Sequence, residues 1–188
     1  MRPMVCTHQN SEQSKRRLTM EMTKFFTDQL EREVTASRKV LERVPEGRND
    51  WKPHERSMPM GYLAALVAQM PAWIAMMLTT KELNLDDKAA SGNFQAKASE
   101  SSEALLKLAD DCAEKAKSAL SHATEDHLNV TWSFRMRGKT LNSGPRYQQI
   151  ADTFTHLAHH RGQLTVYLRL NEIPVPAIFG PSADEPAA

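Results

Sequence analysis

The stretch PRYQQIADTFTHLAHHRGQLTVYLRL, from Pro145 to Leu170, carries the clearest helical pattern in the chain. Proline suits the first turn of a helix, where its missing N–H leaves no hydrogen bond unmade. One row of side chains then recurs in steps of four and three residues, which places the row on one helix face. We therefore predict a long helix that packs along an apolar seam, broken by one arginine. The row consists of Ile150, Phe154, Leu157, Arg161, Leu164 and Leu168.

A second, more polar row lies beside this seam and comprises Thr153, His156, His160, Gln163 and Tyr167. His156 and His160 are four residues apart, so their Cβ atoms lie about 5–6 Å from each other on one helix face. Two imidazoles placed in this way can bind one divalent cation, as in helical zinc sites. The same spacing also occurs in histidines at the edge of a core, so both interpretations stay open. His159 falls nearly opposite the seam and is expected at the surface or at an interface.

Three further helices are predicted upstream, at about residues 23–44, 60–78 and 99–121, from apolar spacing of the same kind. Pro71 lies inside the second helix and should kink it. Ser99 is a suitable cap for the third. Four long helices without alternating strand–helix segments predict an all-α fold, an antiparallel four-helix bundle. The linker at residues 79–98 is long enough for a crossover connection.

The remaining segments are expected to be extended or disordered. Residues 1–19 are polar and non-periodic and predict a disordered lead-in, which leaves residues 20–188 as one domain. The stretch VTWSFRMRG, residues 130–138, alternates apolar and polar side chains, which indicates a covering loop or short hairpin rather than a sheet. The last eighteen residues, NEIPVPAIFGPSADEPAA, hold four prolines and predict an extended tail along the surface.

Composition and charge disfavour several classes of function. The formal net charge is +1, and the small basic clusters at residues 15–17 and 135–139 are interpreted as solvated faces, so no nucleic acid partner is expected. No stretch approaches the ~20 apolar residues of a membrane span. The two cysteines, Cys6 and Cys112, cannot form a disulfide framework, and Cys112 is expected to be a buried apolar residue. With no signal-peptide pattern at the N-terminus, these features predict a cytoplasmic protein.

Two segments carry a resemblance to a known family. HLAHHRGQLTVYLRLNEIPVPAIFGPSADE, from His156 to Glu185, resembles the C-terminal signature of the DinB/YfiT-like superfamily. KPHERSMPMGYLAALVAQMPAW, from Lys52 to Trp73, is similar to that family's entry into its second helix. With matching helix order, the resemblance covers roughly residues 23–185 and implies a four-helix bundle that is often dimeric.

The resemblance also implies a divalent metal, nickel or zinc, held by three histidines. Two of them match His156 and His160, and the third comes from a second-helix stretch of the form LAxHxA. Here that stretch is LAALVA, residues 63–68, and Leu66 occupies the ligand position. Leucine offers no lone pair, so metal binding is expected to be weak or absent. His54 and a carboxylate from elsewhere in the bundle remain alternative ligands, although about three helical turns, or roughly 18 Å, separate His54 from Leu66.

Two functions follow from the resemblance. The first is a metal-dependent enzyme, a thiol-dependent transferase or a hydrolase, in which the metal activates a low-molecular-weight thiol or water. In that case Gln163 or Tyr167 would orient the substrate, and Arg161 would meet an anionic group. The alternative is a non-catalytic homodimer that has lost the metal and either binds a small apolar ligand or fills the space with Leu66. Its pocket would be lined by Leu66, Met70, Trp73, His156, His160, Gln163 and Tyr167.

Overall fold

The computed structural model describes residues 21–87 and 95–186 and shows a helix-rich fold. The predicted lead-in, residues 1–19, lies outside these ranges. The described helices are α1 (Met22–Leu41), α2 (Met60–Gln69), α3 (Pro71–Thr79), α4 (Ser102–Ser121), α5 (Glu125–Asn129) and α6 (Arg146–Leu170). Three strands, β1 (Glu82–Asn84), β2 (Thr131–Met136) and β3 (Lys139–Pro145), lie between them.

The long helices enclose a shared apolar core. α1 packs against α4 and α6, and both α2 and α3 pack against the same two helices. The seam predicted on α6 faces inward, with all six of its side chains buried, Arg161 included. No single helix in the described ranges is long and apolar enough to cross a membrane, although α2 and α3 together reach that length and composition.

Pro71 bends the second helical segment as predicted. The chain forms α2 and α3, whose axes differ by 46°, instead of one continuous helix. Pro71 occupies the first turn of α3. Backbone N–H groups in a first turn have no partner within the helix, so the N–H that proline lacks costs no helical hydrogen bond there. The bend turns Trp73 and Met76 toward a sheet that the sequence did not predict.

A three-stranded sheet in the order β1-β2-β3 makes the all-α prediction wrong in this region. The predicted hairpin is present as β2 and β3, which pair antiparallel from Thr131 opposite Pro145 to Met136 opposite Lys139. Its turn uses Arg137 and Gly138, both at positive φ. β1 adds in parallel to β2 and completes the sheet. The prediction missed β1 because only Leu83 of its three residues is buried, too little for a periodic pattern.

Helix boundaries also differ from the predictions. α4 begins at Ser102, and Ser101 rather than Ser99 is its cap, with the Ser101 hydroxyl accepting a hydrogen bond from the Ala104 N–H at 3.1 Å. α1 ends at Leu41, three residues before the predicted end at Val44. The short helix α5 was not predicted, because five residues are too few to show helical spacing.

The residues after α6, up to residue 186, form turns and bends rather than helix or strand. Three of their apolar side chains, Ile173, Val175 and Ile178, pack partly buried against the core. The Arg43 guanidinium donates to the Pro174 carbonyl at 3.0 Å and pairs with the Glu185 carboxylate. This segment is therefore attached by apolar contacts to the core and by Arg43 to the turn that follows α1.

Candidate functional site

The histidine pair is the starting point of the site. His156 and His160 lie one turn apart on α6, with their Nε2 atoms 2.8 Å from each other and their ring centroids 4.5 Å apart. His160 is buried, at 8% exposure, whereas His156 is exposed. The two rings are therefore adjacent, as their spacing on a helix predicts, and His159 is exposed.

Gln163 orients the buried histidine. Its Oε1 lies 2.8 Å from His160 Nδ1, and a carbonyl oxygen only accepts, so Nδ1 donates the hydrogen. A neutral His160 then presents the lone pair of Nε2, and His156 Nε2 donates to it. The three side chains form a directional chain of hydrogen bonds from His156 to His160 to Gln163.

The pKa of His156 lies below its ordinary value. Burial of part of the ring contributes most, and the neighbouring His160 and His159 add to the effect. Each of these disfavours the imidazolium, so the neutral ring that donates to His160 is the favoured form at neutral pH.

The described residues do not fit the three-histidine metal centre that the resemblance implies. The two Nε2 atoms approach each other closely enough to share a cation, since zinc–nitrogen bonds are about 2.0–2.1 Å long. Within residues 21–87 and 95–186, however, no three His, Cys, Asp or Glu side chains are grouped to hold a metal. Leu66 is 7% exposed and belongs to the apolar core. His54 is exposed, and its Nδ1 accepts from the Arg56 N–H at 3.1 Å.

The predicted pocket residues do not line one common cavity. Leu66, Met70 and Tyr167 belong to one buried apolar cluster, and the Tyr167 hydroxyl donates to the Met58 carbonyl at 3.1 Å. Trp73 packs against this cluster and also lies against His156, with 5.7 Å between ring centroids, while Gln163 holds His160. Arg161, expected to meet an anionic group, instead donates to the Glu33 carboxylate at 2.6 Å inside the core.

A cavity of about 340 Å³ opens next to His156, between α3, the sheet and the first half of α6. Trp73 and His156 are the two predicted site residues that line it. The remaining lining comes from side chains that sequence reasoning did not assign to a site. These are Met76, Met77, Leu83, Trp132, Phe134, Asn142, Gln149, Asp152 and Thr153.

Local hydrogen bonds fix the walls of this cavity. Trp132 Nε1 donates to the Thr80 hydroxyl at 3.1 Å, which anchors the indole between β2 and the end of α3. Asn142 Nδ2 donates to Gln149 Oε1 at 2.9 Å and joins β3 to α6. The Thr153 hydroxyl donates to the Gln149 carbonyl at 2.9 Å. The sheet therefore supplies one wall, and α3 and α6 supply the others.

One signal for the missed residues was present in the sequence. Asp152 precedes His156 by four residues, so both lie on one face of α6. The alternation around Trp132 and Phe134 indicated a half-buried segment, but nothing showed that it would face the histidines. Asn142 and Gln149 carry no motif at all.

Comparisons with known proteins agree with the fold. Residues 20–187 match the family model described as DinB family. A DinB-like protein from Bacillus subtilis superposes with a TM-score of 0.62 at 18% identity, covering 82% of this chain and 96% of that one. A DinB-like protein from Bacillus cereus gives a TM-score of 0.62 at 18% identity, covering 83% and 97%. No curated protein matches the sequence.

Proposed function

The chain belongs to the DinB family, and we propose that it is a non-catalytic member that binds a small, largely apolar molecule in the cavity beside His156. The observation that carries this proposal is the combination of a formed cavity with a histidine pair that lacks a third ligand among the described residues. The cavity can hold an organic molecule, whereas the two histidines alone do not complete a metal-binding site.

The size and lining of the cavity support this function. Its volume of about 340 Å³ lies within the roughly 300–1,000 Å³ that small-molecule sites span. Aromatic, aliphatic and thioether side chains form most of the wall, as in sites that bury an apolar ligand body. Five polar side chains stand among them and can fix the ligand's orientation, namely Asn142, Gln149, Asp152, Thr153 and His156.

The hydrogen-bond chain gives His156 a defined role in this function. Since His156 Nε2 donates to His160, its ring is held in one tautomer, with Nδ1 left as an acceptor. Gln163 in turn fixes His160. In our proposal His156 is a polar contact for the ligand, and His160 and Gln163 are positioning residues.

A metal-dependent transferase or hydrolase is the second candidate. The specific observation in its favour is the 2.8 Å approach of the two Nε2 atoms, which a weakly bound nickel or zinc could bridge. A low-molecular-weight thiol would then be a candidate partner. Metal-dependent activity in the protein as purified would favour this candidate over the first.

The proposed function can be tested with the neutral fluorescent probe N-phenyl-1-naphthylamine. We expect saturable binding by the wild-type protein and at least about tenfold weaker binding by Asn142→Phe, since a tenfold change in affinity requires only about 1.4 kcal/mol. Asn142 is exposed on β3, so the larger ring can block the cavity without entering the core. Leu141→Phe, at the neighbouring exposed position, is the matched control.

Two results would contradict this function. One is the absence of saturable probe binding by a wild-type protein whose circular dichroism and melting curve show that it is folded. The other is an unchanged affinity in Asn142→Phe, which would place the probe elsewhere on the molecule.

A further inference from the structure

We infer that the ligand of this cavity is an organic cation, an ammonium group on a small apolar body, with Asp152 as its counter-ion. This inference rests on the proposed function and specifies the ligand class of the same site. It is carried by the charge and the chemistry of the cavity lining.

The lining has one carboxylate and no lysine or arginine among the described residues. Asp152 is exposed at the edge of the cavity and forms no ion pair within the described part of the chain. The only formally charged side chain of the described lining is therefore the Asp152 carboxylate. Such a site attracts a cation and repels an anion.

Two arginines on the elements that form the cavity are engaged elsewhere. Arg135 on β2 pairs with Glu82 at 3.6 Å. Arg146 at the start of α6 is buried and donates to backbone carbonyls, including that of Met77 at 2.7 Å and that of Thr80 at 2.8 Å. Neither guanidinium is part of the lining, so neither replaces a ligand cation at Asp152.

The apolar walls also favour a cation over a neutral ligand. Trp73, Trp132 and Phe134 bring three aromatic rings to one small cavity. An aromatic ring attracts a cation over its face, and more strongly where water is excluded. Met76 and Met77 add polarisable sulfur atoms beside the rings. An ammonium group with apolar substituents would contact both the rings and the carboxylate.

The test compares phenyltrimethylammonium with tert-butylbenzene, a neutral molecule of nearly the same shape, by calorimetric or fluorescence titration of the full chain. We expect the cation to bind more tightly by about tenfold. In Asp152→Asn the cation should lose roughly two- to fivefold in affinity while tert-butylbenzene is unaffected, since exposed ion pairs are worth up to about 1 kcal/mol. Asp50→Asn removes an exposed carboxylate outside the cavity and should change neither affinity.

A second measurement does not depend on any variant. Raising the salt concentration should weaken the binding of phenyltrimethylammonium and leave that of tert-butylbenzene unchanged or slightly stronger, because salt screens only the charged contact. Equal affinity of the wild-type protein for the two compounds, or an equal response of both to salt, would overturn the cation inference. The proposed function would still stand after that result if N-phenyl-1-naphthylamine bound to the wild type and bound more weakly to Asn142→Phe. If none of the three compounds bound, the proposed function and the cation inference would both be wrong.

Discussion

At the residue scale, the role of Arg161 is set by its buried ion pair with Glu33. The guanidinium interrupts an apolar seam, is 2% exposed, and donates to the Glu33 carboxylate at 2.6 Å and to Ser37 Oγ at 3.2 Å. Breaking a buried ion pair from one side is costly, because the remaining charge stays in the core without compensation. Arg161 therefore holds α6 against α1 and is not available to a substrate.

The first prediction concerns this ion pair. Glu33→Ala should lower the free energy of unfolding by about 3–5 kcal/mol, since it leaves the Arg161 guanidinium buried and unpaired. The double variant Glu33→Met/Arg161→Met should recover much of that loss, because two apolar side chains replace two buried charges. Urea denaturation followed by circular dichroism measures both changes. A single variant as stable as the wild type would show that the pair does not stabilise the core.

Residue spacing predicted part of the site and could not predict the rest. The pairing of His156 with His160 follows from helix geometry alone, and the structure places their Nε2 atoms 2.8 Å apart. Asn142 and Gln149 enter the same cavity from β3 and α6, which are joined by a hydrogen bond. Such proximity depends on tertiary structure, and no local pattern encodes it.

At the scale of the element, the small sheet is the feature that creates the cavity. β1 contributes Leu83, β2 contributes Trp132 and Phe134, and β3 contributes Asn142. Asp86, just after β1, accepts hydrogen bonds from the N–H groups of Arg137 at 2.8 Å and Gly138 at 2.9 Å in the hairpin turn. One carboxylate thus ties the end of β1 to the hairpin.

The second prediction concerns Asp86 and its pH dependence. The two backbone N–H groups hold the pKa of Asp86 below its ordinary value. Its contribution to stability should therefore be complete above the ordinary aspartate pKa, near 3.9, and be lost as the pH falls through the lower folded-state value. The protection of the β2–β3 amides against hydrogen exchange, taken relative to the intrinsic exchange rate at each pH, should fall over that range in the wild type. In Asp86→Ala the exchange should already be faster at neutral pH.

Asp126→Ala is the matched control for this element, since Asp126 is an exposed carboxylate in α5. It should leave the exchange of the β2–β3 amides unchanged. An Asp86→Ala protein with wild-type exchange in the hairpin would show that the turn does not depend on this carboxylate.

Long helices were predicted more accurately from the sequence than short elements. α6 has 25 residues and several turns of regular spacing, and its predicted start and end differ from the structure by at most one residue. Pro71 marked the bend between α2 and α3 because its ring cannot continue the hydrogen-bond ladder. β1 has three residues, and its strand conformation depends on pairing with β2, which is distant in sequence.

At the scale of the whole molecule, the family was predictable because two separated motifs resembled it. The match of residues 20–187 to the DinB family model confirms that membership. The helix-rich architecture also agrees with the two Bacillus structures. The sheet was not predictable from the sequence. Strand β1 lies in a polar linker and strands β2 and β3 form a hairpin, and no local pattern indicates that these two segments pair.

The third prediction concerns assembly. Val166 and Leu170 are each 56% exposed and lie one turn apart on α6, on the side away from the buried seam. We propose that this apolar pair contributes to the homodimer that the resemblance implies. Light scattering after size exclusion should give twice the chain mass of 21.2 kDa, and Val166→Glu/Leu170→Glu should reduce it to one chain. A wild-type mass of a single chain in dilute solution would contradict the proposal.

We propose that this DinB-family chain pairs its histidines beside a cavity for an organic ligand, and that residues 21–87 and 95–186 hold no complete metal site. The most direct test is the elemental analysis of tag-free protein, wild type and Leu66→His, after equilibration with nickel or zinc and removal of excess metal. We expect well below one metal per chain for the wild type and a clear gain for Leu66→His, because the resemblance implies the third imidazole ligand at this position. A wild-type protein that retains close to one metal per chain would contradict the claim.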